Sequence, residues 1–116
     1  MSCELIPTPN FIREAKILAK KYHSLKGELS ELELQLIENP ELGTPIGNNC
    51  RKIRLAVKSK GKSGGLRIIT HLIVRVQTML DKHIRLYLMK IYDKSDYENI
   101  SEKELLKILS EIKEQK

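Results

Sequence analysis

The chain has 116 residues, room for one domain (1–116) with a single hydrophobic core, and 41% apolar with 31% charged residues is too apolar for a disordered chain. Its net charge of +6 is concentrated: residues 51–94 hold twelve Lys/Arg against Asp81 and Asp93, while the flanks hold nine basic and thirteen acidic residues. A basic centre of this kind marks a polyanion-binding surface, with nucleic acid as the leading partner, and the lack of Trp with only one Phe argues against a surface working mainly by base stacking.

Near the N-terminus, Cys3-Glu-Leu-Ile-Pro7 reads as an edge strand, because Pro7 cannot donate to a ladder. Thr8-Pro9 is an N-cap followed by Pro at the first helical position. Phe11, Ala15, Leu18, Ala19 and Tyr22 then recur at helical spacing, predicting a helix over about 9–22. Ser24 is placed to cap a second helix with Leu25, Leu29, Leu32, Leu36 and Ile37 on one stripe, ending at Asn39-Pro40. The two form a helical hairpin. Gly, Pro and Asn make residues 40–49 a loop.

After that loop the period changes to two. Ile53, Leu55 and Val57 alternate with Lys52, Arg54 and Lys58, one face apolar and the other basic. Ser59 to Gly65 is a glycine-rich turn, Leu66 to Val76 the second strand, Asp81-Lys82 a turn, and His83 to Tyr92 a third strand. Ser101-x-x-Glu104 opens a last helix, 101–115, with Leu105, Ile108, Leu109 and Ile112 on one face. The expected architecture is α+β, an N-terminal helical hairpin packed on one side of a small antiparallel sheet in the order βααβββα.

Gly61-Lys62-Ser63 is not a P-loop: Ala56 stands where the first glycine is required, and the segment joins strand to strand. Lys58, Lys60 and Lys62 are instead candidate phosphate contacts on a hairpin turn, beside the plainer reading of a solvated turn. The basic sheet face is the stronger feature. Arg67 shares its side of the strand with Ile69, His71, Ile73 and Arg75, next to Lys52 and Arg54, and almost no acid interrupts it. Strand geometry can hold such cations around a phosphate. His71 and Tyr92 are the nearest groups able to move protons. By simple alternation Tyr92 shares a side with Ile84, Leu86 and Leu88, facing the core unless a bulge reverses it. Cys3 and Cys50 with three scattered His form no metal-ligand spacing, so no metal or cofactor is expected. No apolar run of membrane-spanning length and no leader pattern is visible, which makes a soluble, reduced, cytoplasmic protein the expectation.

Taken in order, Asn39-Pro-Glu-Leu-Gly-Thr-Pro-Ile-Gly, Cys50-Arg-Lys-Ile-Arg-Leu-Ala, Lys60-Gly-Lys-Ser-Gly-Gly-Leu-Arg-Ile-Ile and Ile91-Tyr-Asp-Lys-Ser resemble the RelE/ParE superfamily of toxins from type II toxin–antitoxin pairs, nearest its RelE-type branch. The resemblance spans about residues 8–106. It implies a metal-independent endoribonuclease that cleaves mRNA on the ribosome and is silenced by a cognate acidic antitoxin. It also implies that Lys52, Arg54, Arg67 and Tyr92 with Lys94 surround the scissile phosphate. Thr70-His71 stand where the family carries an aromatic. The alternatives are a non-catalytic nucleic-acid binder or gyrase-directed ParE-like toxin using the same face, and a structural partner in an assembly. Fold alone does not choose among them.

Overall fold

The computed structural model describes residues 2–60, 65–78 and 81–112. The chain runs β1 (Ser2–Pro7), α1 (Pro9–Lys21), α2 (Leu25–Glu38), β2 (Thr44–Gly47), β3 (Cys50–Leu55), a 3-10 turn (Lys58–Lys60), β4 (Leu66–Thr78), β5 (Asp81–Asp93) and α3 (Glu102–Ser110). The architecture is α+β, with one mixed five-stranded sheet in the order β1-β5-β4-β3-β2.

The helix starts follow from capping. Thr8 Oγ1 accepts from the Phe11 N–H and Pro9 opens α1, while Ser101 Oγ accepts from the Glu104 N–H to open α3. Ser24 precedes α2 but makes no side-chain cap. Its hydroxyl instead bonds Ser59 and Glu28, and the Glu28 carboxylate accepts from the Lys58 N–H at 2.8 Å, tying the hairpin to the turn after β3.

Four expectations need correction. The sheet is mixed: β1 runs parallel to β5, because tight turns force antiparallel pairing only between sequence neighbours, and each residue of β1 meets a partner 81 residues later in the chain, as Ser2 meets His83. The segment 40–49 contains a strand, β2, joined to β3 through Asn48 and Asn49, whose φ values of 56° and 58° make the left-handed two-residue turn that suits a hairpin. Asp81 and Lys82 are the first residues of β5 and pair with Thr78 and Val76. Finally, the helices cover both sides of the sheet.

That last point follows from the strands. Ile68 and Ile69 are both fully buried although they point to opposite faces, and Leu86-Tyr87-Leu88-Met89 is a continuous apolar run. A sheet apolar on both faces needs two covers. On one face α1 and α2 bring Phe11, Tyr22, Leu25, Leu32 and Leu36 onto Ile53, Leu55, Leu66, Ile68, Leu86, Leu88 and Ile91. On the other, α3 brings Leu105 and Ile108 onto Cys50, Ile69, Tyr87, Met89 and Tyr92. Ile37, expected on the buried stripe of α2, is exposed.

The place of Tyr92 in the second cluster depends on one irregularity. Ile69 pairs with Lys90 but Thr70 pairs with Leu88, so Met89 is the extra residue of a bulge. Before it, Leu86 and Leu88 face the helical hairpin. After it Ile91 takes that side, and Tyr92 faces the other.

Candidate functional site

Arg54 of β3, Arg67 of β4 and Tyr92 of β5 are register partners, forming one row across three strands, with Lys52 two residues along β3 on the same face. Neighbouring strands lie about 4.8 Å apart, so these side chains share a small area. Gly65 sets where the row begins. A Cβ there would overlap the Leu55 carbonyl oxygen, so β4 can start this close to the end of β3 only with glycine. Its own carbonyl accepts from the Lys94 N–H at 3.3 Å, binding the ends of β4 and β5 together just beyond Tyr92.

The cations converge on one carboxylate, Glu98, in the loop between β5 and α3. Arg67 Nη2 lies 3.3 Å from Oε2 and its Nε donates to Oε1 at 3.4 Å. Lys52 Nζ is 3.4 Å from Oε1, and Arg54 Nη2 is 3.9 Å from it. Lys52 also donates to Asn99 Oδ1 at 2.8 Å, and the Tyr92 hydroxyl donates to the Glu98 backbone oxygen at 2.9 Å. Tyr97 stacks on Tyr92, centroids 4.4 Å apart. Arg67 and Lys52 are largely buried, whereas the Arg54 side chain is 75% exposed. Two arginines directly opposite in a ladder repel, so the row is stabilised by the anion set among it.

Electrostatics follow the geometry. Desolvation raises the Glu98 carboxyl, but the hydrogen bond and charge of Arg67, then those of Lys52, outweigh it and hold the group below its ordinary value. Tyr92 is pushed up to about 12, first by burial and then by Tyr97 and Glu98, with Arg67 and Lys90 opposing. It is a phenol that stays protonated at neutral pH.

The other expected site residues lie elsewhere. His71 is on the same face but four residues along β4 from Arg67, about 13 Å at strand rise, and its Nδ1 is 3.5 Å from Cys50 Sγ. Arg75 is four residues farther still, opposite His83. Lys58 is exposed on the turn after β3. Lys60 turns inward to a buried ion pair with Asp93, 3.0 Å away, and Asp93 also accepts from the Tyr22 hydroxyl and from Ser95. Lys94 is exposed immediately after Asp93. Lys62 lies outside the described residues. Among the described residues, no group of three His, Cys, Asp or Glu is placed to hold a metal, and no helix is long and apolar enough to cross a membrane.

Sequence reasoning missed Tyr97, Glu98 and Asn99. Glu98 and Asn99 sit 31 to 47 residues from the cations they touch, and Tyr97 beside them lies with both in an acidic flank that reads as a solvated connector. The one available signal was an aromatic, an acid and an amide in succession, Tyr97-Glu98-Asn99, a few residues after Tyr92. No family model matches this chain.

Proposed function

We propose that this protein cleaves RNA by internal attack of a 2′-hydroxyl, as a toxin of the RelE kind acting on mRNA and neutralised by an acidic antitoxin. The observation that supports this reading is the convergence of Lys52, Arg54 and Arg67 on a single anion-sized position, the Glu98 carboxylate, with the Tyr92 hydroxyl on the backbone oxygen of the same residue. RNA carries its own nucleophile: the 2′-oxygen gives its proton to solvent water and bonds to the adjacent phosphorus. The P–O5′ bond breaks, leaving a 2′,3′-cyclic phosphate and, once the leaving oxygen is protonated, a 5′-hydroxyl. The protein has to position the phosphate, neutralise charge that grows on its oxygens, and protonate the leaving oxygen. Arg67 suits the second task, being buried, always charged and able to hold two oxygens at once. Arg54 and Lys52 flank it. Tyr92, protonated at neutral pH, suits the third.

His71 is about 13 Å from the cluster at strand rise, so it takes no part in this scheme. That separation also favours the second reading, a non-catalytic nucleic-acid binder, because it removes the most ready proton acceptor from the site.

Arg67→Ala is expected to abolish growth arrest and transcript cleavage on induced expression, with turnover lowered by about 10²–10³-fold. Arg67→Lys should restore only part. Lys82→Ala, a charge change on exposed β5 outside the row, is the control. Equal loss in Arg67→Ala and Lys82→Ala, or RNA binding by the purified protein without any cyclic-phosphate product, would replace catalysis with simple cationic binding.

A further inference from the structure

The proposed phosphate position is already occupied by an anion of the chain itself. Glu98 carries one negative charge into a cluster of three cations, so the site keeps a surplus of positive charge with its own carboxylate in place. The fit is loose. Charge-assisted contacts are best at about 2.7–2.9 Å, and the four nitrogen–oxygen approaches here run from 3.3 to 3.9 Å. Glu98 Oε2 is buried yet makes no well-formed hydrogen bond, although Arg67 Nη2 is within ion-pair range. A side chain kept only to staple the loop would be expected to meet its arginine squarely. The planar carboxylate instead half-fills a position that a tetrahedral phosphodiester, with more acceptor directions, would fill better.

The surrounding loop is fastened at two ends and held in the middle by polar contacts to the site and by Tyr97 and Ile100 packed on the α3 cluster. At its start Ser95 donates from N–H and hydroxyl to Asp93, and the Asp96 N–H bonds the Asp93 carbonyl. At its end the Ser101 cap fixes α3. Between them, the polar contacts of residues 97–100 go mainly to groups of the site and its rim. The Glu98 backbone oxygen takes the Tyr92 hydroxyl, Asn99 takes Lys52, and Tyr97 lies on Tyr92. The polar part of what holds this segment down is the same set of side chains that would hold RNA, and the rest is the packing of Tyr97 and Ile100 on the α3 cluster.

We propose that Glu98 is an internal substitute for the substrate phosphate, and that residues 97–100 form a gate that RNA must displace to reach Lys52, Arg54 and Arg67. This rests on the reading of the cluster as an RNA-phosphate site and adds how that site is controlled. The closed chain protects its cations from stray anions. Only a ligand offering several phosphates, with some outside the cluster gripped first by Lys58 or Lys94, displaces the gate efficiently.

The test uses a fully 2′-O-methylated RNA oligonucleotide, which binds without being cut, and fluorescence anisotropy with the full chain. Glu98→Gln keeps the shape of the side chain and removes its charge. It should bind about tenfold or more tighter than the native chain, as removing a competing closed state requires. Glu102→Gln, the same charge change on the exposed start of α3, should change affinity less than twofold. The gain in Glu98→Gln should vanish when Arg67→Ala is added. As a check that needs no variant, hydrogen exchange at residues 97–100 of the native chain should speed up when the oligonucleotide binds. If native and Glu98→Gln proteins bind equally, or exchange at 97–100 slows on binding, the gate is wrong and the RNA site survives. If neither protein binds the oligonucleotide, both fall together.

Discussion

Tyr92 is the residue whose protonation behaviour most sharply separates the possible proton donors. Burial, then Tyr97 and Glu98, raise its hydroxyl to about 12. A donor acts only while protonated, so turnover limited by Tyr92 should not fall between pH 7 and pH 10. A histidine donor, titrating near 6.5, would lose activity across that neutral range. The pH dependence of kcat on a short RNA distinguishes them, and a descending limb centred near pH 7 would remove Tyr92 from the role. Asp93 carries a different consequence. Although burial would raise it, hydrogen bonds from Ser95, Tyr22 and Lys60 hold its carboxyl far below the usual range. A folded-state value depressed below the unfolded one stabilises the fold above roughly pH 4, and that contribution is lost as the pH falls further. Asp93→Asn removes the carboxylate charge that pairs with the buried Lys60 ammonium, and should cost about 3–5 kcal/mol in urea unfolding at pH 7. The difference from the native protein should shrink as the pH drops below 4. A constant difference down to pH 2 would show that Asp93 acts through packing alone.

The bulge in β5 is the local feature on which the site depends. With regular alternation Tyr92 would face the helical hairpin with Leu88, and Ile91 would face α3. Met89, the added residue, reverses both. Deleting Met89 removes the bulge and makes Thr70–Leu88 and Ile69–Lys90 consecutive pairs, so Ile91 and Tyr92 keep their sides. The deletion should therefore lower the melting temperature through loss of a buried side chain yet retain RNA cleavage, while Met89→Leu, which keeps the chain length and the apolar volume, should retain both. A Met89 deletion that folds but does not cleave would mean that the bulge itself, and not the side taken by Tyr92, holds the site. α3 shares in the arrangement. It covers the basic face beside the row, with Leu105 and Ile108 packed on Met89 and Tyr92, and Glu104 pairs with Lys90 at 3.2 Å. Its position fixes where the gate ends.

Across the molecule, positive charge is gathered on strands and their ends, and the acids lie chiefly in the helices and the 93–104 connector. A face that neutralises about three phosphates of single-stranded RNA should show log K falling with log salt at a slope of about −2, taking roughly −0.7 per phosphate. Arg67→Ala should flatten that slope by roughly one contact. A salt-insensitive interaction would point to an apolar interface instead. β4 and β5, thirteen residues each, extend about 40 Å and set the 46 Å long axis. Val74 and Val76 are exposed on their far half, well away from the row.

The helices, the basic strand pair and the identity of Arg54 and Arg67 as neighbours were legible in the chain because each depends on local order. Thr8-Pro9 and Ser101 carry their caps with them, and the two-residue period of Lys52 to Leu55 needs only a strand, although the strand stops there and Lys58, expected on it, lies on the 3-10 turn. Asn48-Asn49 was legible in principle, since asparagine tolerates the left-handed turn, but it was read as loop composition. The parallel placing of β1, the side taken by α3, the inward turn of Lys60 and the docking of Glu98 were not legible. Each is a choice between partners far apart in the chain, decided by which apolar face remains uncovered and which buried charge lacks a counter-ion. Charge counting showed that residues 51–94 want an anion. Only the folded chain, where burial makes an unpaired cation costly, shows that the nearest one is its own.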